Sequence, residues 1–170
     1  MFEQFFPDHY LDSTYLIPFD KLYKEGYRGI LFDIDNTLVP HGAPADERVK
    51  ALVAALKETG FRCCLISNNN YERVASFARE LQVSFIENAH KPSEKSYQQA
   101  MELLGTDVKN SLFVGDQVFT DIYGAKRIGI RTVLVKPIHP KEEIQIVLKR
   151  YLEKIVLHFY HKSKESGKIL

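Results

Sequence analysis

Two carboxylic acids separated by one residue, Asp33 and Asp35, follow an apolar run. In an extended strand, residues i and i+2 project from the same side, so both groups could face one site where the strand stops. Their mutual repulsion is costly unless a cation offsets it, and Mg²⁺ takes oxygen ligands that include phosphate. The pair therefore indicates a metal-assisted phosphate site. A pair of aspartates that only cap a turn or a helix is the alternative interpretation.

Polar residues also follow three later apolar runs of the chain. In a parallel α/β sheet, ligands bind beyond the carboxyl ends of the strands, so these residues could converge on one site. Each has an ordinary alternative, because the serine could cap a helix, the lysine could be a solvated loop residue and the last acid could lie on the surface. Together they supply what is needed to hold a phosphate and a divalent cation beside a nucleophilic carboxylate. The set consists of Ser67 and Asn68 after the second run, Lys91 after the third, and Asp116 and Asp121 after the fourth.

Short runs of apolar residues alternate along the chain with segments whose apolar residues have helical spacing. Runs without polar alternation are typical of a parallel sheet that is covered on both faces. We therefore expect a single α/β, Rossmann-like three-layer sandwich with a parallel five-stranded sheet. The predicted strands are 29–34, 62–67, 83–87, 111–115 and 131–136, and the predicted helices are 46–60, with Asp46 as its cap, 71–81, 93–104, 119–128 and 141–159.

The composition limits the class of protein. A chain of 170 residues with a net charge of +1 fits one domain, 1–170, without a basic field strong enough to make nucleic acid its main partner. Cys63 and Cys64 are adjacent in an apolar run, which suits buried thiols and a reducing compartment. We see no secretory signal and no bilayer-spanning run, so we expect a cytoplasmic protein, with contact to a membrane surface left open.

Two flanks lie outside the predicted sheet. Residues 1–27 are rich in aromatic residues and should pack on the core as an amino-terminal extension. In the last helix, Ile144, Leu148, Leu152, Ile155 and Phe159 form a stripe of helical spacing. We expect the stripe to pack against the core, with membrane contact as the alternative. Residues 161–170 are polar and should form a flexible tail.

Four segments, taken in order, resemble the motifs of the haloacid dehalogenase superfamily. They are Asp33-Ile-Asp-Asn-Thr-Leu, Ser67-Asn-Asn, Lys91-Pro and Gly115-Asp-Gln-Val-Phe-Thr-Asp121. The whole chain is further similar to the small YqeG-like phosphatases of subclass IIIA, a group related to mitochondrial phosphatidylglycerophosphatases. The resemblance implies a phosphotransferase on a Rossmann-like sheet.

The resemblance also implies roles for the acids. Asp33 would attack phosphorus and become an aspartyl phosphate, while Mg²⁺ masks charge repulsion. Asp35 would protonate the leaving alkoxide and then activate water, a task that suits a modestly raised pKa. The metal shell would contain the side chains of Asp33 and Asp116 and the backbone carbonyl of Asp35, and Asp121 would orient or supplement it. Thr37 would be a local brace for the turn after the first strand.

The remaining motif residues would bind the phosphoryl group. By the same resemblance, Ser67 and the backbone amide of Asn68 would contact its oxygens, and Lys91 would neutralise charge in the transition state. His41 and His90 lie close to the motifs in sequence. We interpret both as loop residues, because the carboxylates already supply the acid and the base.

The spacing of the motifs leaves no room for a cap domain. Residues 36–45 and 87–91 are too few to hold a folded insertion, so we expect an open site. Open sites suit a protein, an oligonucleotide end or a lipid headgroup at a membrane surface, and the YqeG-like resemblance favours phosphatidylglycerophosphate. Two alternatives stay open. One is a phosphatase for a protein or a small soluble phosphomonoester, and the other is a regulatory module that binds Mg²⁺ or a phosphoryl group without turnover.

Overall fold

The computed structural model describes residues 2–139 and 144–165. Its centre is a parallel sheet of six strands. The strands are β1 (His9–Leu11), β2 (Gly29–Phe32), β3 (Arg62–Ile66), β4 (Ser84–Ile86), β5 (Ser111–Gly115) and β6 (Arg131–Val135). Their order across the sheet is β1-β6-β5-β2-β3-β4.

Helices cover both faces of this sheet. The first three pack with one buried apolar cluster, and the fourth and fifth pack with a second cluster on the other face. The α-helices are α1 (Phe19–Lys24), α2 (Glu47–Thr59), α3 (Tyr71–Leu81), α4 (Glu94–Leu104), α5 (Tyr123–Arg127) and α6 (Ile144–Glu165); two 3₁₀ turns (Glu3–Phe5 and Thr14–Leu16) and a π-helical turn (Val118–Ile122) complete the described elements. The predicted α/β sandwich with a parallel sheet is therefore confirmed.

The predicted number of strands was wrong. The sixth strand, β1, lies in the amino-terminal extension and pairs with β6 at the edge of the sheet, with His9 opposite Val133. It has only three residues, all of them half-buried, so it lacks the long apolar run that marks the interior strands. By contrast, all four residues of β2 and all five of β5 are buried, because these strands lie in the middle of a sheet covered on both faces.

Local signals account for the ends of the helices. The Asp46 carboxylate accepts a hydrogen bond of 2.9 Å from the Val49 amide, as a helix N-cap does, and Gly60 ends α2 with a φ of 116°. Three other predicted helices correspond to α3, to α4 and to the π-helical turn followed by α5. The last predicted helix corresponds to α6, although its proposed first residues, 141–143, lie outside the described part.

The amino-terminal extension packs on the carboxyl-terminal helix through aromatic rings. The ring centroids of Phe2 and Phe159 are 5.3 Å apart, and those of Phe6 and Tyr160 are 5.6 Å apart. Helix α6 continues to Glu165, so residues 161–165 of the segment that we predicted to be a flexible tail are helical, and residues 166–170 lie outside the described part. This continuation is consistent with the burial of Tyr160, which holds that part of the helix against the extension.

Two further features bear on the environment of the chain. Cys63 and Cys64 are buried and unbridged, as predicted, and burial raises the pKa of both thiols to about 12. In the described part of the chain, no helix has both the length and the apolar composition that crossing a bilayer requires.

Candidate active site

The site lies where the sheet changes its winding direction. Strands β2 and β5 are neighbours, and the chain leaves them toward opposite edges of the sheet. Asp33 follows β2 and Asp116 follows β5, so both acids stand at the carboxyl ends of adjacent strands, where α/β folds form a crevice. The Asp33 amide donates to the Val114 carbonyl at 3.0 Å, which extends the pairing of the strands up to the site.

Lys91 joins the first and the fourth motif. Its ammonium group lies 2.7 Å from Asp33 Oδ1 and 2.7 Å from Asp121 Oδ1, and the lysine side chain is almost fully buried. Thr37 Oγ1 is 3.0 Å from Asp116 Oδ1 and 3.3 Å from Asp33 Oδ2. The threonine therefore connects two strands, which is more than the local brace that we predicted. Lys91 is not a solvated loop residue.

Asp121 is the most buried acid of the site. Its Oδ2 accepts hydrogen bonds of 3.1 Å from the amides of Asp116 and Gln117, while its Oδ1 accepts from Lys91. A Cβ atom at Gly115 would clash with this carboxylate, so the glycine is what lets the acid fold back under the strand end. The alternative that Asp121 is an ordinary surface acid is wrong.

The carboxylates of Asp33, Asp116 and Asp121 are close enough to share a cation. One oxygen of each lies within 4.8 Å of one oxygen of the others, and all three residues are buried. Among the described residues in contact there, Asp33, Asp116, Asp121 and Glu153 face two cationic side chains, those of Lys91 and Arg150. If all were ionised, two negative charges would remain, which a divalent metal with a preference for oxygen would balance. The donor set fits Mg²⁺.

Burial and neighbouring charges raise the pKa values of two of these acids. Burial raises the pKa of Asp33 to about 6, although the nearby Lys91 opposes the shift. Burial, followed by the negative charges of Asp33 and Asp121, raises the pKa of Asp116 well above its ordinary value, although Arg150 opposes this. A bound cation would favour the ionised form of both acids.

Asp35 lies beside the three acids but points elsewhere. Its Oδ1 accepts hydrogen bonds from the Gly42 amide at 2.7 Å and from Arg73 Nη2 at 2.9 Å. Burial raises the pKa of Asp35, but these two partners outweigh burial and the pKa lies below its ordinary value. The modestly raised pKa that we expected for Asp35 as a general acid is therefore wrong for this arrangement, because the Gly42 amide and the Arg73 guanidinium on α3 stabilise the ionised carboxylate.

The second motif forms a small polar turn beside Lys91. Ser67 is buried, and its hydroxyl accepts a hydrogen bond from the Asn69 amide. The Asn68 side chain accepts from the Lys91 amide at 2.7 Å, which fixes the third motif against the second. The cap of α3 is Asn70, so the alternative that Ser67 merely caps this helix is wrong.

From the sequence we did not identify two residues of α6 that contact the fourth motif, Arg150 and Glu153. Arg150 donates to the Asp116 carboxylate and to its backbone oxygen, each at 2.5 Å, and also pairs with Glu153 at 2.9 Å. Glu153 is buried and accepts from the Val118 amide at 2.8 Å. A signal was present in principle, since a charged pair at i and i+3 interrupts the pattern of the last helix, but such pairs are usually solvated.

The assembled residues surround an open cavity of about 270 Å³. The predicted residues Asp33, Asp35, Ser67, Asn68, Lys91 and Asp116 line it, whereas Asp121 lies behind Lys91. His41, in the short loop between β2 and α2, and Ile146 of α6 also line the cavity. His90 does not line this cavity. No inserted domain lies among residues 33–46 or 87–93, as the spacing of the motifs predicts.

A comparison with protein families agrees with this geometry. The family model described as "haloacid dehalogenase-like hydrolase" matches residues 42–129. The chain belongs to the haloacid dehalogenase-like hydrolases, and its relatives place it among the phosphatases of that family. The resemblance of the chain to this superfamily is thereby confirmed.

Similar proteins refine this assignment. The chain is 33% identical to "Probable phosphatase YqeG" of Bacillus subtilis over 159 residues, which are 92% of each protein. It is 29% identical to "Phosphatidylglycerophosphate phosphatase 1, chloroplastic/mitochondrial" of Arabidopsis thaliana over 81% of this chain but only 45% of that protein. A crystal structure of an uncharacterized protein from Corynebacterium glutamicum covers 77% of this chain and 93% of its own, with a TM-score of 0.53 and 22% identity, which shows the shared fold alone.

Proposed function

We propose that this chain hydrolyses a phosphomonoester through an aspartyl phosphate on Asp33, with Mg²⁺ as cofactor and phosphatidylglycerophosphate as substrate. The observation that carries the proposal is the convergence of three buried carboxylates on one point, with Lys91 bridging two of them. The carboxylates of Asp33, Asp116 and Asp121 and the backbone carbonyl of Asp35 would hold the metal. When bound, Mg²⁺ would mask the repulsion between the nucleophile and the phosphate.

In the first half of the reaction, an oxygen of Asp33 attacks phosphorus and a new P–O bond forms. The bond from phosphorus to the ester oxygen breaks, and the departing alkoxide takes a proton from Asp35. Lys91, the hydroxyl of Ser67 and the amide of Asn68 bind the phosphoryl oxygens while charge builds up on them. The cavity that these residues line supports the assignment.

In the second half, water attacks the phosphorus of the aspartyl phosphate and Asp35 takes the proton of this water. The P–O bond to Asp33 breaks, and inorganic phosphate leaves. The lowered pKa of Asp35 favours its ionised form, which is the form that can accept this proton. In the first half, the same carboxyl must be protonated, and the pairing with Arg73 then opposes that state.

Two observations support a lipid substrate. First, the cavity is open and no domain formed by residues 2–139 and 144–165 covers it, so a bulky substrate anchored in another phase can reach Asp33. Second, two relatives whose names contain phosphatidylglycerophosphate phosphatase, from Arabidopsis thaliana and Chlamydomonas reinhardtii, match 81% and 75% of this chain. We therefore infer that the leaving group is the headgroup glycerol of a membrane lipid.

The test is release of inorganic phosphate from phosphatidylglycerophosphate in mixed micelles, with Mg²⁺ or EDTA. We expect turnover only with Mg²⁺, a loss of about 10³-fold or more in Asp33→Asn, and normal turnover in the control Glu102→Gln, an exposed acid on α4. Hydrolysis of soluble phosphomonoesters but never of this lipid would contradict the substrate. If no ester releases phosphate, the turnover itself is contradicted.

A trapping experiment tests the intermediate and separates turnover from a regulatory phosphorylation. Asp35→Asn removes the group that activates water. With a ³²P-labelled aryl phosphate, whose leaving group departs without a proton from Asp35, the label should remain on Asp35→Asn and be absent from Asp33→Asn. Equal, stable labelling of wild type and Asp35→Asn would favour a regulatory module.

A further inference from the structure

The outer side of α6 carries an exposed apolar surface. Leu148, Tyr151, Leu152, Ile155 and Phe159, which we call the α6 outer face, are 42 to 64% exposed. At 3.6 residues per turn they lie within an arc of about 100°. The interpretation that the stripe of the last helix packs on the core is therefore wrong for Leu148, Leu152 and Ile155. Phe159 is partly covered by its contact with Phe2, and the side chain of the first member, Ile144, lies outside the described residues.

The opposite side of the same helix is fixed to the protein. Val156 and Tyr160 are buried against the amino-terminal extension, and Glu153 and Arg150 bind the fourth motif. The helix therefore cannot turn its apolar side inward without breaking the contacts to Asp116. The outer face is a fixed part of the surface that needs another explanation.

Lysines border this apolar surface on both sides. Lys149 and Lys154 flank the arc, each about 60° beyond its edge. Among the charged residues of α6 that the structure describes as exposed, four are lysines and one is an acid: Lys149, Lys154, Lys162, Lys164 and Glu165. An apolar stripe between basic borders is the pattern of a helix that lies in the surface of an anionic bilayer.

We propose that the α6 outer face docks on an anionic lipid bilayer, with its apolar side chains in the headgroup region and its lysines at the lipid phosphates. A second copy of the chain fits less well, since a two-fold pairing of this face would bring lysine borders of equal charge together. Ile146 lines the cavity from the side of α6 opposite the outer face, so the width of the helix, about 10 Å, would separate the docked bilayer from the cavity. The docking surface goes beyond the proposed substrate, because binding to a bilayer needs no turnover.

The test is sedimentation of the full-length chain with vesicles, without substrate. Vesicles of phosphatidylcholine alone are compared with vesicles of equal parts phosphatidylcholine and phosphatidylglycerol. We expect binding to the anionic vesicles only, a loss of about 100-fold in the double variant Leu152→Glu/Ile155→Glu, and no change in Leu103→Glu, which places the same charge at an exposed leucine of α4.

A second pair of substitutions keeps the test valid if the double variant does not fold. Lys149→Gln and Lys154→Gln change only exposed charges, and each should weaken binding to anionic vesicles about five-fold, less so at high salt. Thermal unfolding checks that all variants are folded. Equal binding to both kinds of vesicle, no binding, or a solution dimer that Leu152→Glu/Ile155→Glu dissociates would each overturn the proposal. Failure to hydrolyse the lipid would leave it intact.

Discussion

Replacing the proposed nucleophile should stabilise the metal-free protein while it abolishes turnover. Asp33 is buried, and its pKa is raised to about 6 from 3.8, which means that folding disfavours its ionised form. Because the folded pKa is the higher one, the folded protein binds more protons than the unfolded chain between these values. The free energy of unfolding therefore falls as pH rises through this window, from about pH 4 to about pH 7.

The size of the effect follows from the pKa difference. A shift of about two units corresponds to about 3 kcal/mol, which the metal-free wild type loses by pH 8. Asp33→Asn keeps an oxygen that can accept from Lys91 but cannot ionise, so it avoids this loss. Between pH 5 and pH 8, the free energy of unfolding of Asp33→Asn minus that of wild type should grow by about 1 to 2 kcal/mol.

The assay is urea unfolding in EDTA at pH 5, 6.5 and 8, repeated with saturating Mg²⁺. Bound Mg²⁺ should stabilise the wild type by about 3 kcal/mol at a hundred times its dissociation constant and should remove most of the difference at pH 8. Glu102→Gln on α4 is the control and should show no such pH trend. A difference between Asp33→Asn and wild type that stays constant or shrinks from pH 5 to pH 8 would refute the assignment of a buried, charge-poor metal site.

Three further substitutions test the remaining contacts. Lys91→Met leaves two buried carboxylates without their cation, so the free energy of unfolding should fall by about 3 to 5 kcal/mol, more at pH 8 than at pH 5; a neutral effect in urea unfolding would contradict the buried pairing. Arg150→Gln removes both charged hydrogen bonds from the arginine to Asp116. The free energy of unfolding should fall by about 3 kcal/mol in EDTA and by less with Mg²⁺, and an equal fall in both conditions would argue against a shared site. Arg73→Gln should raise the pKa of Asp35 and move the acidic limb of the pH–rate profile for a soluble ester to higher pH. The control is Arg79→Gln, a substitution of an exposed arginine on the same helix. An unmoved acidic limb would show that Arg73 does not set the pKa of Asp35.

The amino-acid sequence alone indicated the candidate site residues and the sheet that brings them together. Asp33 and Asp116 follow buried strands and Lys91 follows the half-buried strand β4. Parallel strands end on the same edge of a sheet, so the convergence of these residues followed from topology. The short gaps between the motifs likewise excluded a covering domain, because chain length limits what a loop can hold.

Other features depended on contacts between distant parts of the chain. Residues 9–11 form the edge strand β1 because they pair with the open edge of β6. Three half-buried residues carry too weak a pattern for this strand to be predicted from the sequence. Arg73 and Arg150 lie 38 and 34 positions from the acids that they bind, and surface arginines look the same in a sequence whether they are solvated or paired. For this reason the expected pKa of Asp35 had the wrong direction.

Helix α6 shows most clearly which features can be read from the sequence and which depend on tertiary contacts. Its apolar spacing was visible in the sequence, but spacing defines only that a helix has an apolar side, and not what covers that side. The tertiary structure turned the side with Glu153 and Val156 toward the protein, because the fourth motif and the aromatic extension offer partners there, and left Leu152 and Ile155 in contact with solvent.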